Sequence, residues 1–147
     1  MRLEYLNPKI IKSYKRELRN NYKTISNLID SIEDFGFINP ILLTPDYTVV
    51  CGEARLMAAL KLNLEKIPCV IVDELTEDQV KGYRLIDNQL QELSLWNYEN
   101  KNKEIEEIDM NLAMYGLPEE YHSYINIDDF FEKENINQIS LFDGIEL

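Results

Sequence analysis

Val49-Val50-Cys51-Gly52-Glu53-Ala54-Arg55-Leu56-Met57-Ala58-Ala59 changes character at its single glycine. The β-branched pair before Gly52 favours a strand, and the Ala, Arg, Leu and Met residues after it favour a helix. A glycine at such a junction turns the chain sharply and admits close approach of a ligand to the backbone. The first amides of the following helix have no helical partners and the helix dipole favours negative charge there, so the junction reads as an anion pocket. Arg55, in the first turn, adds a guanidinium fork suited to phosphate. On spacing alone Arg55 reads more simply as a surface residue of an amphipathic helix, and both readings stand at this point.

Outward from the junction the elements alternate. Upstream, Pro40 to Thr44 reads as a buried strand, Pro45-Asp46-Tyr47 as a turn, and Thr48 to Cys51 as a second strand. Ile25, Leu28, Ile29, Ile32 and Phe35 fall at helical spacing, with Thr24 or Ser26 placed to cap the helix and Gly36 to end it. Arg2 to Leu6 alternates polar and apolar and stops at Asn7-Pro8, as a short strand would. Downstream, the helix after Gly52 ends near Asn63, and the apolar run Ile67 to Val72 predicts a strand buried on both faces. Thr76-Glu77-Asp78-Gln79 forms a capping box, and Val80, Tyr83, Ile86, Leu90 and Leu93 carry that helix toward Trp96. Asn97 to Asn102 reads as a polar connection, and Ile105, Ile108, Leu112 and Tyr115 as a further helix closed by Gly116 and Pro118. The order predicts an α/β (α+β) fold: a small mixed β-sheet surrounded by helices, with a helical acidic C-terminal extension. The expected division is a core over 1–97, an extension over 98–135 and a tail over 136–147.

The 147 residues carry a net charge of -12 and 45% apolar side chains, a composition that supports one hydrophobic core rather than a disordered acidic chain. No stretch reaches the roughly eighteen apolar residues of a membrane span, and the N-terminus lacks a signal-peptide profile, so a cytoplasmic protein without membrane contact is expected. Cys51 and Cys69 sit in apolar stretches and read as reduced thiols; with one histidine, His122, they provide no zinc cluster. The acidity is one-sided. Residues 1–72 hold 10 basic and 8 acidic side chains, and residues 73–147 hold 5 and 19. Lys9, Lys12, Lys15, Arg16, Arg19 and Lys23 surround Glu17, a cluster that either meets an anion or forms a solvated face. The acidic half argues against direct non-specific DNA binding, which depends on phosphate neutralisation. Asp87-Asn88 pairs a carboxylate with an amide oxygen, a set that could hold magnesium together with a nucleotide's phosphates or could simply face solvent.

Four blocks in order, Leu28 to Gly36, Asn39-Pro40-Ile41, Val50 to Ala59 and Ile67 to Val70, followed by Asp87-Asn88 and Trp96-Asn97, resemble the ParB/sulfiredoxin superfamily, in particular the ParB-like N-terminal domain of phage, plasmid and methyltransferase-associated proteins. The likeness spans about residues 1–97. It implies nucleotide and phosphate binding by Asn39, Pro40, Gly52, Glu53, Ala54 and Arg55, with Gly52-Glu53-Ala54-Arg55 standing where ParB proteins have Gly-Glu-Arg-Arg. It implies Mg2+ at Asp87 and Asn88, and an NTP such as CTP or ATP as ligand. Ala54, Thr44 and Gln91 stand where the family motifs carry arginine, which weakens the expectation of CTP hydrolysis and clamp sliding. Sulfiredoxin chemistry needs a cysteine directly after the glycine, where this chain has Glu53; Cys51 precedes Gly52 and is expected to face the sheet as an inert thiol. Other domains of this fold act as kinases or nucleases, for which Glu53 and Asp34 are the candidate catalytic carboxylates. The expected role is an accessory factor in phage or plasmid DNA metabolism. The alternatives are a protein–protein interaction module using the acidic C-terminal half, and a metal-dependent nuclease or phosphotransferase. Self-pairing of the related domains makes a homodimer one expected state.

Overall fold

A computed structural model describes residues 1–15, 22–93 and 95–117 of the chain. Arg16, Glu17 and Arg19 of the basic segment, His122, and the tail over 136–147 lie outside the described residues.

Four strands form one mixed sheet: β1 (Arg2–Leu6), β2 (Ile41–Leu43), β3 (Val49–Cys51) and β4 (Ile67–Ile71), in the order β1-β4-β2-β3. β1 runs antiparallel to β4, β4 parallel to β2, and β2 antiparallel to β3. The parallel pair needs a crossover, and it is supplied by α2 (Glu53–Lys61). α1 (Tyr22–Phe35) packs on α2, and α3 (Glu77–Leu93) meets β3. The core lies between the sheet and α2: Ile41, Leu43, Leu56, Ala59, Ile67, Cys69 and Ile71 are fully buried. On the other face Val50, Val72 and Val80 make a second, smaller cluster.

The local chemistry of the caps follows the sequence. Gly36 closes α1 at φ +80° and donates its N–H to the Ile32 carbonyl, and Asn63 ends the α2 turn at φ +52°. Thr76 and Gln79 exchange hydrogen bonds reciprocally ahead of α3, as a capping box requires.

Four expectations are corrected. α1 already includes Tyr22, so Thr24 and Ser26 lie inside the helix instead of capping it. β4 alternates: Ile67, Cys69 and Ile71 are buried in the cluster with α2, while Pro68 and Val70, which alternate with them onto the other face, are only half-covered. α3 turns Val80 and Arg84 inward, leaving Tyr83, Ile86, Leu90 and Leu93 exposed. Asn97 is no connection but the cap of α4 (Tyr98–Glu107), its side chain accepting from the Asn100 N–H at 3.1 Å; among the described residues that follow there is only a short 3-10 helix, Leu112–Tyr115, ended by Gly116 at φ +85°.

The chain divides into two units. The first holds residues up to Leu95 and takes up the chain again from Met110; the 3-10 helix belongs to it and packs on α1, with Tyr115 donating its hydroxyl to Asp34 at 2.6 Å and stacking against Phe35. The second holds Trp96–Asp109, where Lys101 sits 3.9 Å over the Trp96 ring and bonds join Lys103 to Glu99. Among the described residues no helix is long and apolar enough to cross a membrane.

Candidate functional site at the strand-to-helix turn

The β3–α2 junction is built as its sequence demands. Gly52 adopts φ +108° and ψ +24°, a left-handed conformation that side chains oppose, and it is packed so tightly that an added Cβ would stand 3.2 Å from Ile41 Cγ1. Glycine is therefore required twice, for the backbone angle and for the contact. No side chain caps α2 among the described residues, so its first-turn amides have no capping partner there.

A groove of about 170 Å³ is lined by Leu28, Ile32 and Phe35 of α1, by the loop Gly36 to Asn39, and by Arg55 of the first turn of α2; Gly52, Glu53 and Ala54 are not among its lining residues. The fold thus brings Asn39 and Arg55, 16 residues apart in sequence, to one surface. Arg55 makes no ion pair among the described residues. Ile32 and Phe35 give the groove an apolar wall on one side, while Asn39 and Arg55 supply polar and cationic groups on the other. Pro40 lies just beyond the lining, at the start of β2, and Ala54 is half-buried on α2.

Glu53 is half-buried and its Oε2 accepts from the Tyr14 N–H at 3.4 Å. Asp87 reaches the same strand end from α3: its Oδ2 accepts from the Cys51 thiol at 3.4 Å and from the Gln91 amide at 3.2 Å. Burial pushes the Cys51 thiol up to about 11, with the Asp87 charge adding to the shift and the nearby Arg84 and Arg55 opposing it. Cys51 is therefore a protonated thiol at neutral pH, with no activated thiolate. Asn88 donates its amide N–H to the Arg84 carbonyl at 2.8 Å. Among the described residues no three His, Cys, Asp or Glu side chains converge to hold a metal, so a cation here would draw on Asp87, the Asn88 oxygen and ligand or water oxygens.

Asp34 is placed elsewhere. It is exposed at the end of α1 and engaged with Tyr115, and it is not part of the groove lining. Two of the positions that depart from the arginine pattern have local structural roles: Thr44 exchanges bonds with Asp46 and Thr48 across the β2–β3 turn, and Gln91 holds Asp87.

Sequence reasoning missed Arg84. It is 6% exposed, donates Nε to the Val50 carbonyl at 3.2 Å and Nη2 to the Val49 carbonyl at 2.7 Å, and lies 3.5 Å over the Tyr14 ring. The signal was present: Val80, Arg84 and Asp87 fall at i, i+4 and i+7 on one helical face. A longer apolar stripe beside them drew the reading to the wrong face.

The chain is 33% identical over 55 residues to the ParB-like nuclease domain-containing protein YnaK of Escherichia coli, covering 37% of this chain and 63% of that one. It is 33% identical over 90 residues to the chromosome-partitioning protein Spo0J of Thermus thermophilus, covering 57% of this chain and 33% of that one. The chain therefore spans under two thirds of the length of these curated relatives. Among solved structures it superposes on the C-terminally truncated chromosome-partitioning protein ParB of Caulobacter crescentus, complexed with CTP-gamma-S, at a TM-score of 0.61 and 18% identity, over 94% of this chain and 88% of that one. That likeness shows the shared fold. Residues 2–89 match the ParB N-terminal domain, and the chain belongs to that family.

Proposed function

We propose that this protein binds a nucleoside triphosphate at the Gly52 turn and serves as a ParB-like accessory factor in the DNA metabolism of a phage or plasmid. One observation carries the reading: Arg55, in the first turn of the uncapped α2 that follows the left-handed Gly52, lines one groove with Asn39. Uncapped first-turn amides and a guanidinium with no ion pair among the described residues would form an anion site that combines fixed dipoles with a side-chain charge. The groove is smaller than the roughly 300–1,000 Å³ of enclosed ligand sites, so it fits one end of a nucleotide, the remainder lying along the surface. In this reading Gly52, Glu53 and Ala54 offer backbone N–H groups to phosphate, Arg55 pairs with it, and Asn39 and Pro40 border the nucleoside. Asp87 and Asn88 would supply two oxygens to Mg2+, the phosphates and water supplying the rest. The CTP-gamma-S complex of the Caulobacter crescentus protein supports CTP as the first nucleotide to try.

Calorimetric titration with CTP, ATP and GTP in magnesium tests this directly. Wild type should bind at least one, and Arg55→Ala should weaken it by about 10- to 100-fold, the loss expected for one charge-assisted hydrogen bond of roughly 1.5–3 kcal/mol. Absence of binding by wild type to all three would overturn the reading.

A second reading, a metal-dependent nuclease or phosphotransferase, is favoured by the position of the Glu53 carboxylate at the turn and by the description of the Escherichia coli relative. Under it, Glu53→Gln abolishes turnover while leaving affinity intact, the mark of a lost proton-transfer group.

A further inference from the structure

Gly52 is held from both sides by one residue of α3. On the strand side, Arg84 donates to the carbonyls of Val49 and Val50, the residues that lead into Cys51 and Gly52. Val50 is the extra residue of a β-bulge: Leu42 pairs with Cys51 and Leu43 with Val49, so Val50 is skipped by the β2 ladder. A bulge on an edge strand leaves its carbonyls without sheet partners, and it changes the direction in which the strand leaves the sheet. On the helix side, the guanidinium lies 3.5 Å over the Tyr14 ring, and the Tyr14 N–H is donated to Glu53, the first residue of α2. The contacts Val50, Arg84, Tyr14 and Glu53 close a ring around the turn.

Burying a guanidinium needs compensation, and here it comes from two carbonyls and an aromatic face, with no carboxylate paired to it among the described residues. The planar fork is what spans two successive carbonyls; an ammonium group cannot reproduce that geometry. Among the described residues, Val80 and Arg84 are the buried positions of α3, and Arg84 joins Val80 and Asp87 in tying that helix to β3.

We infer that Arg84 is a positioning residue of the nucleotide site: it fixes the bulged end of β3 and, through Tyr14, the first residue of α2, and so sets the direction in which the Gly52 turn presents its amides. The inference rests on the proposed reading of that turn as a phosphate site. Arg84 has no place in the groove lining.

The test compares Arg84→Lys, Arg84→Gln and Tyr14→Leu with wild type in the full chain, using CTP with magnesium chloride as the probe and following affinity, thermal midpoint and the backbone amide resonances of Gly52 and Glu53. The Arg84 variants should fold, should shift both amide resonances, and should bind CTP roughly tenfold more weakly, a fraction of the hundredfold that an ångström of misplacement can cost. Tyr14→Leu should act in the same direction, and the double variant should lose less than the two single losses combined. A core variant of equal thermal midpoint, Ile71→Val, should keep wild-type affinity, which separates positioning from general destabilisation. Folded Arg84 variants with unmoved Gly52 and Glu53 resonances, or with wild-type affinity, would overturn the inference. If Arg84 variants do not fold, Tyr14→Leu decides by the same two readouts. Failure of wild type to bind any nucleotide would instead sink the proposed function, and the amide resonances would still decide whether Arg84 sets the turn.

Discussion

Gly52, just past β3, packs against Ile41 of β2: a Cβ on Gly52 would lie 3.2 Å from Ile41 Cγ1 and 3.3 Å from its Cγ2, closer than ordinary contact, so Ile41 would have to give way by a few tenths of an ångström. The contact ties the geometry of the candidate phosphate turn to the centre of the core, because Ile41 is fully buried.

Gly52→Ala should therefore combine a left-handed backbone penalty with a steric one. We expect a loss of about 1–3 kcal/mol of stability, read as a lower midpoint in urea unfolding with an unchanged slope. An unchanged midpoint would show that the turn relaxes freely.

Leu56 and Leu90 are both leucines on helices and should respond in opposite ways. Leu56 is completely buried under the sheet, and Leu56→Ala should cost about 2–5 kcal/mol. Leu90 is 60% exposed on the outer face of α3, and Leu90→Ser should change stability by no more than about 0.5 kcal/mol. Equal losses at the two positions in denaturant titrations would contradict the observed orientation of α3.

The two thiols give a pH signature. Burial raises Cys51 and Cys69 from 9.0 to about 11, so between those values the unfolded chain has released protons that the folded chain retains. The stability they contribute is complete below pH 9 and is lost as pH rises through about 11. Alkylation of Cys51 by iodoacetamide should follow a midpoint near 11 and move downward in Asp87→Asn, which removes the neighbouring negative charge. A wild-type midpoint near 9 would refute it.

Asp46 should titrate in the opposite sense. The Thr44 hydroxyl, with smaller contributions from Thr48 and Lys12, holds its carboxyl down to about 2. The folded state then gains from the charged form above pH 3.8, and the gain disappears as pH falls through about 2. An NMR titration should place the Asp46 midpoint near 2 in wild type and closer to 3.8 in Thr44→Val; identical midpoints in the two proteins would remove Thr44 as the cause.

Much of this protein was legible along the chain. The strands at Arg2–Leu6 and Ile67–Ile71, the left-handed Gly36 and Asn63, the capping box at Thr76 and the strand-glycine-helix junction follow from rules that act within a few residues. These are local interactions, and local sequence encodes them. The α3 face was misread because amphipathic spacing tells which residues share a face, not which face meets the sheet. The face that meets the sheet carries Val80, packed with Val50 and Val72, and Arg84, which donates to the Val49 and Val50 carbonyls.

The sequence by itself determined the family, the order of elements and the special backbone at Gly52, because each depends on residue type at short range. Tertiary structure alone decided that Asn39 and Arg55 share one groove, that Asp34 stands outside it with Tyr115, and that Arg84 closes a ring around the turn through Val50, Tyr14 and Glu53. Those relationships span 16 to 81 positions of sequence and arise from strand order and helix packing, which no local pattern carries.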